Sequence, residues 1–114
     1  MTPLCALFLA VLIAGGVSAR PPQDAKAVER GRAVFTEQKC SLCHSVEGKG
    51  NPKGALDDVG TKLSGEQIRQ WLLTPKEMAE KEKATRKPPM QPYTKLSKTD
   101  IDALVAFLQT LKKK

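Results

Sequence analysis

The chain has 114 residues, room for one domain. Its 19 Lys and Arg outnumber 12 Asp and Glu for a net charge of +7, while aromatic residues make up only 4%. A basic chain with so few aromatics and no recognition motif is not read as a nucleic-acid binder. Its apolar content is also short for a core that must outweigh chain entropy, and a large apolar cofactor would supply what is missing.

Residues 1–19 carry no charged side chain. An apolar run from Leu4 to Ala14 leads through Gly15 and Gly16 to Val17-Ser18-Ala19, and small residues at Val17 and Ala19 suit a signal-peptidase site before Arg20. The run is short for a bilayer span. We expect an export signal over 1–19 and a single domain over 20–114, placing the chain in the periplasm or otherwise outside the cytoplasm. Left uncleaved, the same segment would anchor it to a membrane. Cys5 lies inside the signal and leaves with it.

The stretch from Gln23 to Lys39 predicts a helix. Asp24 is its N-cap, and Ala27, Val28, Gly31, Val34 and Phe35 share one face. Gly31 costs a helix interior roughly 1 kcal/mol relative to Ala, which marks a place where another helix crosses closely.

Next comes "KCSLCHSVEG", Lys39 to Gly48, with Cys40, Cys43 and the chain's single histidine, His44. A disulfide across so small a loop removes little chain entropy, so these thiols are not a structural staple. Cys-x-x-Cys-His is the attachment signature of c-type haem. Two thiols at this spacing add to the two vinyl groups of one porphyrin edge, and the following imidazole is a good axial ligand. A redox dithiol normally sits in a βαβ setting, and no strand alternation is evident here. Zinc needs four ligands, and the mature chain offers two Cys and one His.

Val46 to Lys62 reads as a loop dense in Gly and Pro. Gly48, Gly50 and Gly54 miss the dinucleotide-binding spacing by one, so no nucleotide site is read there. Ser64 and Gln67 stand in capping-box positions before Ile68, Trp71 and Leu72, and Pro75 ends that helix. Thr74 and Pro75 then predict a second cap and a short helix through about Ala84. Pro88, Pro89 and Pro92 deny regular structure to the segment that holds Met90. The last helix starts at Ser97, with Ile101, Leu104, Val105, Leu108 and Leu111 at helical spacing.

With no second histidine, a methionine is the natural sixth ligand of the iron. Met78 lies in a charged helix, where a packing role suffices. Met90 lies in the proline-held loop, where restricted chain freedom keeps a weak thioether in place. We therefore assign the iron to His44 and Met90.

From about Asp24 to Leu111 the chain resembles the small class I c-type cytochromes, especially short bacterial monohaem ones. The resemblance implies an all-α fold, with N- and C-terminal helices crossing and shorter helices and loops around one covalent haem c. Gly31 and Phe35 match the family's first helix, and Phe107-Leu108 the aromatic–Leu pair that crosses its glycine. Trp71 resembles the family's tryptophan near the haem propionates, and "MQPY", Met90 to Tyr93, its methionine loop. The family's proline that orients the axial histidine is missing from Gly54-Ala55-Leu56; the carbonyl of Ala55 is expected to serve, with Pro52 as the alternative.

The function expected is single-electron transfer between redox proteins, with no catalysis and no small-molecule substrate, by a monomer. Lys49, Lys53, Lys62, Arg86, Lys87, Lys95 and Lys98 flank loops expected around the haem edge and imply an acidic partner. The alternatives are a haem-bearing subunit of a larger oxidoreductase, or a five-coordinate enzyme or sensor if Met90 does not bind iron.

Overall fold

The computed structural model describes residues 24–113. The expected export signal and Cys5 lie outside them. Helix α1, Ala25–Glu37, begins where the Asp24 carboxylate accepts the Lys26 N–H at 3.1 Å. Helix α5, Lys98–Gln109, begins the same way, the Ser97 hydroxyl accepting the Asp100 N–H at 3.1 Å. The two cross at Gly31. A Cβ there would lie 2.6 Å from the Phe107 Cβ and press on the Ala103 carbonyl, so only a glycine lets the helices approach this closely. Phe35 and Phe107 meet edge to face at 5.8 Å, and the Arg32 guanidinium lies over the Phe107 ring. Val34, Leu104 and Phe107 are fully buried around this crossing. Arg30 adds an ion pair from α1 to Asp100 of α5 at 2.9 Å.

Lys39 takes a left-handed conformation, which ends α1 and turns the chain into a 3₁₀ turn over Cys40–Leu42. The segment expected as a plain loop is more ordered than its composition implies. Strands β1, Ser45–Val46, and β2, Lys49–Gly50, form a small antiparallel hairpin. Glu47 and Gly48 both have positive φ, the geometry that two-residue hairpin turns need. Strands of two residues are too short to show alternation, so the hairpin leaves no sequence pattern. A 3₁₀ turn follows over Pro52–Gly54, then a single-turn helix α2, Val59–Lys62. Helix α2 is tied to the far end of the chain by the Gly60 N–H donating to the Leu111 carbonyl at 2.8 Å.

Helix α3, Gly65–Leu73, carries the full capping box between Ser64 and Gln67. Helix α4, Pro75–Lys81, has Pro75 in its first turn, but Thr74 does not cap it with its side chain. The Thr74 hydroxyl instead donates to the Gln70 carbonyl at 3.0 Å and so closes α3. Helix α4 also stops earlier than the expected Ala84. Lys83 turns left-handed, and the Lys83 and Ala84 N–H groups donate back to the Glu80 and Ala79 carbonyls. This is a Schellman stop with lysine where glycine is usual, so no residue type announced it. The segment from Glu82 to Leu96 then forms neither helix nor strand, as its prolines require.

Candidate functional site

A cavity of about 990 Å³ opens between α3, the 82–96 segment and the core face of the α1–α5 pair. Its volume lies at the upper end of the roughly 300–1,000 Å³ usual for cofactor and ligand sites. Leu56, Val59, Leu63, Ile68, Leu72, Leu104 and Leu108 line it, so its surface is mainly apolar. Cys40, Cys43 and His44 enter from the 3₁₀ turn after α1, and Met90 from the 82–96 segment. Trp71 lines the same cavity from α3. All five expected site residues therefore converge. Met78 does not: it is 95% buried on α4, and its side chain is absent from the cavity wall.

The His44 ring is half-buried, and its Nδ1 lies 2.9 Å from the Gly54 carbonyl oxygen. A carbonyl can only accept, so Nδ1 carries the proton and the lone pair of Nε2 is left free to ligate. The acceptor is Gly54, not Ala55 or Pro52 as the sequence implied. Ser45 and Ala55 pair in a parallel bridge, with the Leu56 N–H donating to the Ser45 carbonyl at 2.9 Å, and this register sets Gly54 beside His44. Burial, aided by the positive charge of Arg86, pushes the imidazole's pKa below its usual value, with the Gly54 bond opposing. The neutral ring is the ligating form.

The two thiols differ. Cys43 is exposed, whereas Cys40 is buried, and burial pushes the Cys40 thiol up to about 11. Tyr93 lines the cavity with Cys40, and its N–H donates to the Leu72 carbonyl at 2.8 Å. That fixes the methionine segment three residues after Met90. Four residues before Met90, Arg86 Nη2 donates to the Cys43 carbonyl. Sequence reasoning placed Arg86 among surface cations and gave Tyr93 no structural task; neither long-range contact has a local signal.

The sequence pattern of the family described as cytochrome c matches residues 28–112. The chain belongs to the cytochrome c family. Its helical fold, with the crossing α1 and α5 and one minor hairpin, is the cytochrome c fold. The family binds covalent haem c with iron, and the residues here fit that group: an apolar cavity, two thiols three positions apart at its wall, an imidazole with Nε2 free, and a thioether lining the same space. Haem supplies a one-electron couple at its iron, and electron transfer is the chemistry of the family. Cytochrome c proteins typically carry electrons to and from redox partner proteins, and such domains are usually exported. The cytochrome is also 29% identical over 107 residues to cytochrome c oxidase subunit 2 of Alkalihalophilus pseudofirmus. That match covers 85% of this chain and 30% of the relative, so the chain spans under a third of that protein's length. No solved structure matches the cytochrome.

Proposed function

We propose that the chain is an exported electron carrier, with residues 1–19 removed and 20–114 kept as one monohaem domain. Cys40 and Cys43 hold the haem by thioether bonds, and His44 and Met90 ligate its iron. One observation carries this reading: His44, with Nε2 free, and Met90 line one apolar cavity from different segments. Two protein ligands leave no open position for a substrate, which favours electron transfer over catalysis. Methionine ligation and burial favour the reduced iron, so the potential is comparatively high. Trp71 lines the cavity and is assigned to the haem site with them.

The partner is an acidic protein surface met by a monomer. Leu42 is 70% exposed, and beside it Lys53, Arg86 and Lys87 border a hollow next to Cys43. An apolar residue ringed by cations at the attachment motif suits an acidic docking patch. The other cations expected there are not in this hollow, and Lys98 is paired with Asp102 at 3.3 Å.

The similarity to an oxidase subunit favours one second reading, in which the chain serves as a haem-bearing part of a larger oxidoreductase. Three measurements test the set. The intact mass of the mature protein should include one haem that survives denaturation and acid-acetone extraction. The reduced spectrum should be unchanged by carbon monoxide; a shift would mean an open iron and an enzyme or sensor. Gel filtration of native extract distinguishes a free carrier from a subunit.

A further inference from the structure

Arg86 bridges the two segments that carry the proposed ligands. Its Nη2 donates to the Cys43 carbonyl, at the peptide leading into His44. Its guanidinium also covers Gly54, where an added Cβ would lie 2.9 Å from the Arg86 Cζ. Gly54 is the residue whose carbonyl accepts the His44 ring proton. One cation thus lies against both pieces of backbone that orient the imidazole. A side chain at position 54 would meet the Cys43 carbonyl, which is backbone and gives the steric reason for glycine, and would displace the guanidinium as well.

The same arginine stands four residues before Met90, with Pro88 and Pro89 between them. The prolines limit how far that short connection can relax. After Met90, the Tyr93 N–H holds the segment to the Leu72 carbonyl at 2.8 Å. Met90 is therefore bracketed by two attachments, Arg86 upstream to the His44 segment and Tyr93 downstream to α3. A planar guanidinium can donate in its plane while a glycine packs against it, and a lysine ammonium cannot do both. A charge-assisted bond is also the stronger kind.

We propose that Arg86 is a positioning residue, which holds the Met90 segment against the His44 segment so that both axial side chains stay fixed across the cavity. This rests on Met90 being the sixth ligand. It gives a surface cation of the 82–96 segment a task separate from partner docking.

The test uses the haem-loaded, oxidised protein and two signals followed during heating. One is the long-wavelength charge-transfer absorption that reports a thioether on ferric iron; the other is helical circular dichroism. In the parent the two should be lost together. In Arg86→Met the absorption should disappear at a lower temperature than the helix signal, and the reduced variant should take up carbon monoxide where the parent does not. Arg86→Lys should fall between them, because one ammonium can still reach the Cys43 carbonyl. An Arg86→Met variant that loses both signals together, at the parent temperature or below it, overturns the proposal, since that is what no role or a merely structural role produces. A parent without the absorption overturns the Met90 assignment and this proposal with it. A parent that shows it beside a variant with coincident transitions overturns the positioning role alone.

Discussion

Met90 and Met78 share a chemistry and differ in surroundings. Met90 lines the cavity together with residues of the attachment motif, while Met78 is 5% exposed within α4. Met90→Leu removes the only sulfur that the 82–96 segment offers, so it should open the iron, lower the potential and create carbon monoxide binding. Met78→Leu conserves volume, so it should cost under about 1.5 kcal/mol and leave the haem spectrum unchanged. Visible spectra of the two variants, with and without carbon monoxide, decide the assignment; an open iron in the Met78 variant alone would reverse it. That Met90 lines the cavity and Met78 does not was legible in the sequence through the flanking prolines. The acceptor for His44 was not, because any nearby carbonyl offers the same chemistry and only the Ser45–Ala55 register selects Gly54.

At the scale of elements, the α1–α5 crossing fixes the rest. Gly31→Ala should gain up to about 1 kcal/mol in helix propensity. Its Cβ would meet the Ala103 carbonyl and, at 2.6 Å, the Phe107 Cβ, and backbone does not move aside cheaply. The overpacking penalty of about 1–3 kcal/mol should therefore win, and a thermal melt should show a lower midpoint. A midpoint above the parent's would mean that the helices are not in close contact there. The crossing is also sensitive to acid. Hydrogen bonding to Arg30 holds the Asp100 carboxyl below its ordinary 3.8, and Arg69 does the same for Asp102. A lowered folded value means stability that is present above the unfolded value and lost as pH falls through the folded one. Asp100→Asn should thus be less stable than the parent at neutral pH and converge with it below that range. Urea melts at neutral pH and under strong acid check the sign; equal stability at neutral pH would show that solvent screens the pair completely.

For the whole molecule, the cavity sets the balance. Its wall is mainly apolar, and without the cofactor that surface would face water. The chain without its cofactor should not keep this shape. Cys40→Ala produced without attached haem should lose most of its helical circular dichroism; retention of parent-like helicity would show that the protein core suffices. The net charge of +7 acts on the same scale. Attraction to an acidic partner is screened over about 10 Å at 0.1 M salt. Lys53→Glu and Lys87→Glu should slow electron transfer to the physiological partner at low salt, keep the haem spectrum, and converge with the parent at high salt. Rates that are flat or rise with salt would remove the acidic partner and leave the haem site untouched.

Cys40, Cys43 and His44 were readable from the chain alone because attachment chemistry demands three residue types within five positions, a local condition. The helices around Gly31, Ser64 and Ser97 were readable for the same reason: caps and apolar faces are set by neighbours a few residues apart. The Glu47–Gly48 hairpin and the lysine-ended stop of α4 escaped, since two-residue strands have no periodicity and a left-handed lysine has no compositional mark. Only the tertiary structure decided that Gly54 orients His44, that Arg86 reaches Cys43, and that Tyr93 ties the methionine segment to α3. Each of those contacts joins segments from 10 to 43 residues apart, or 21 for the Tyr93–Leu72 bond. At such separations the partner is chosen by how α1, α3 and α5 pack, and spacing along the chain carries no record of it.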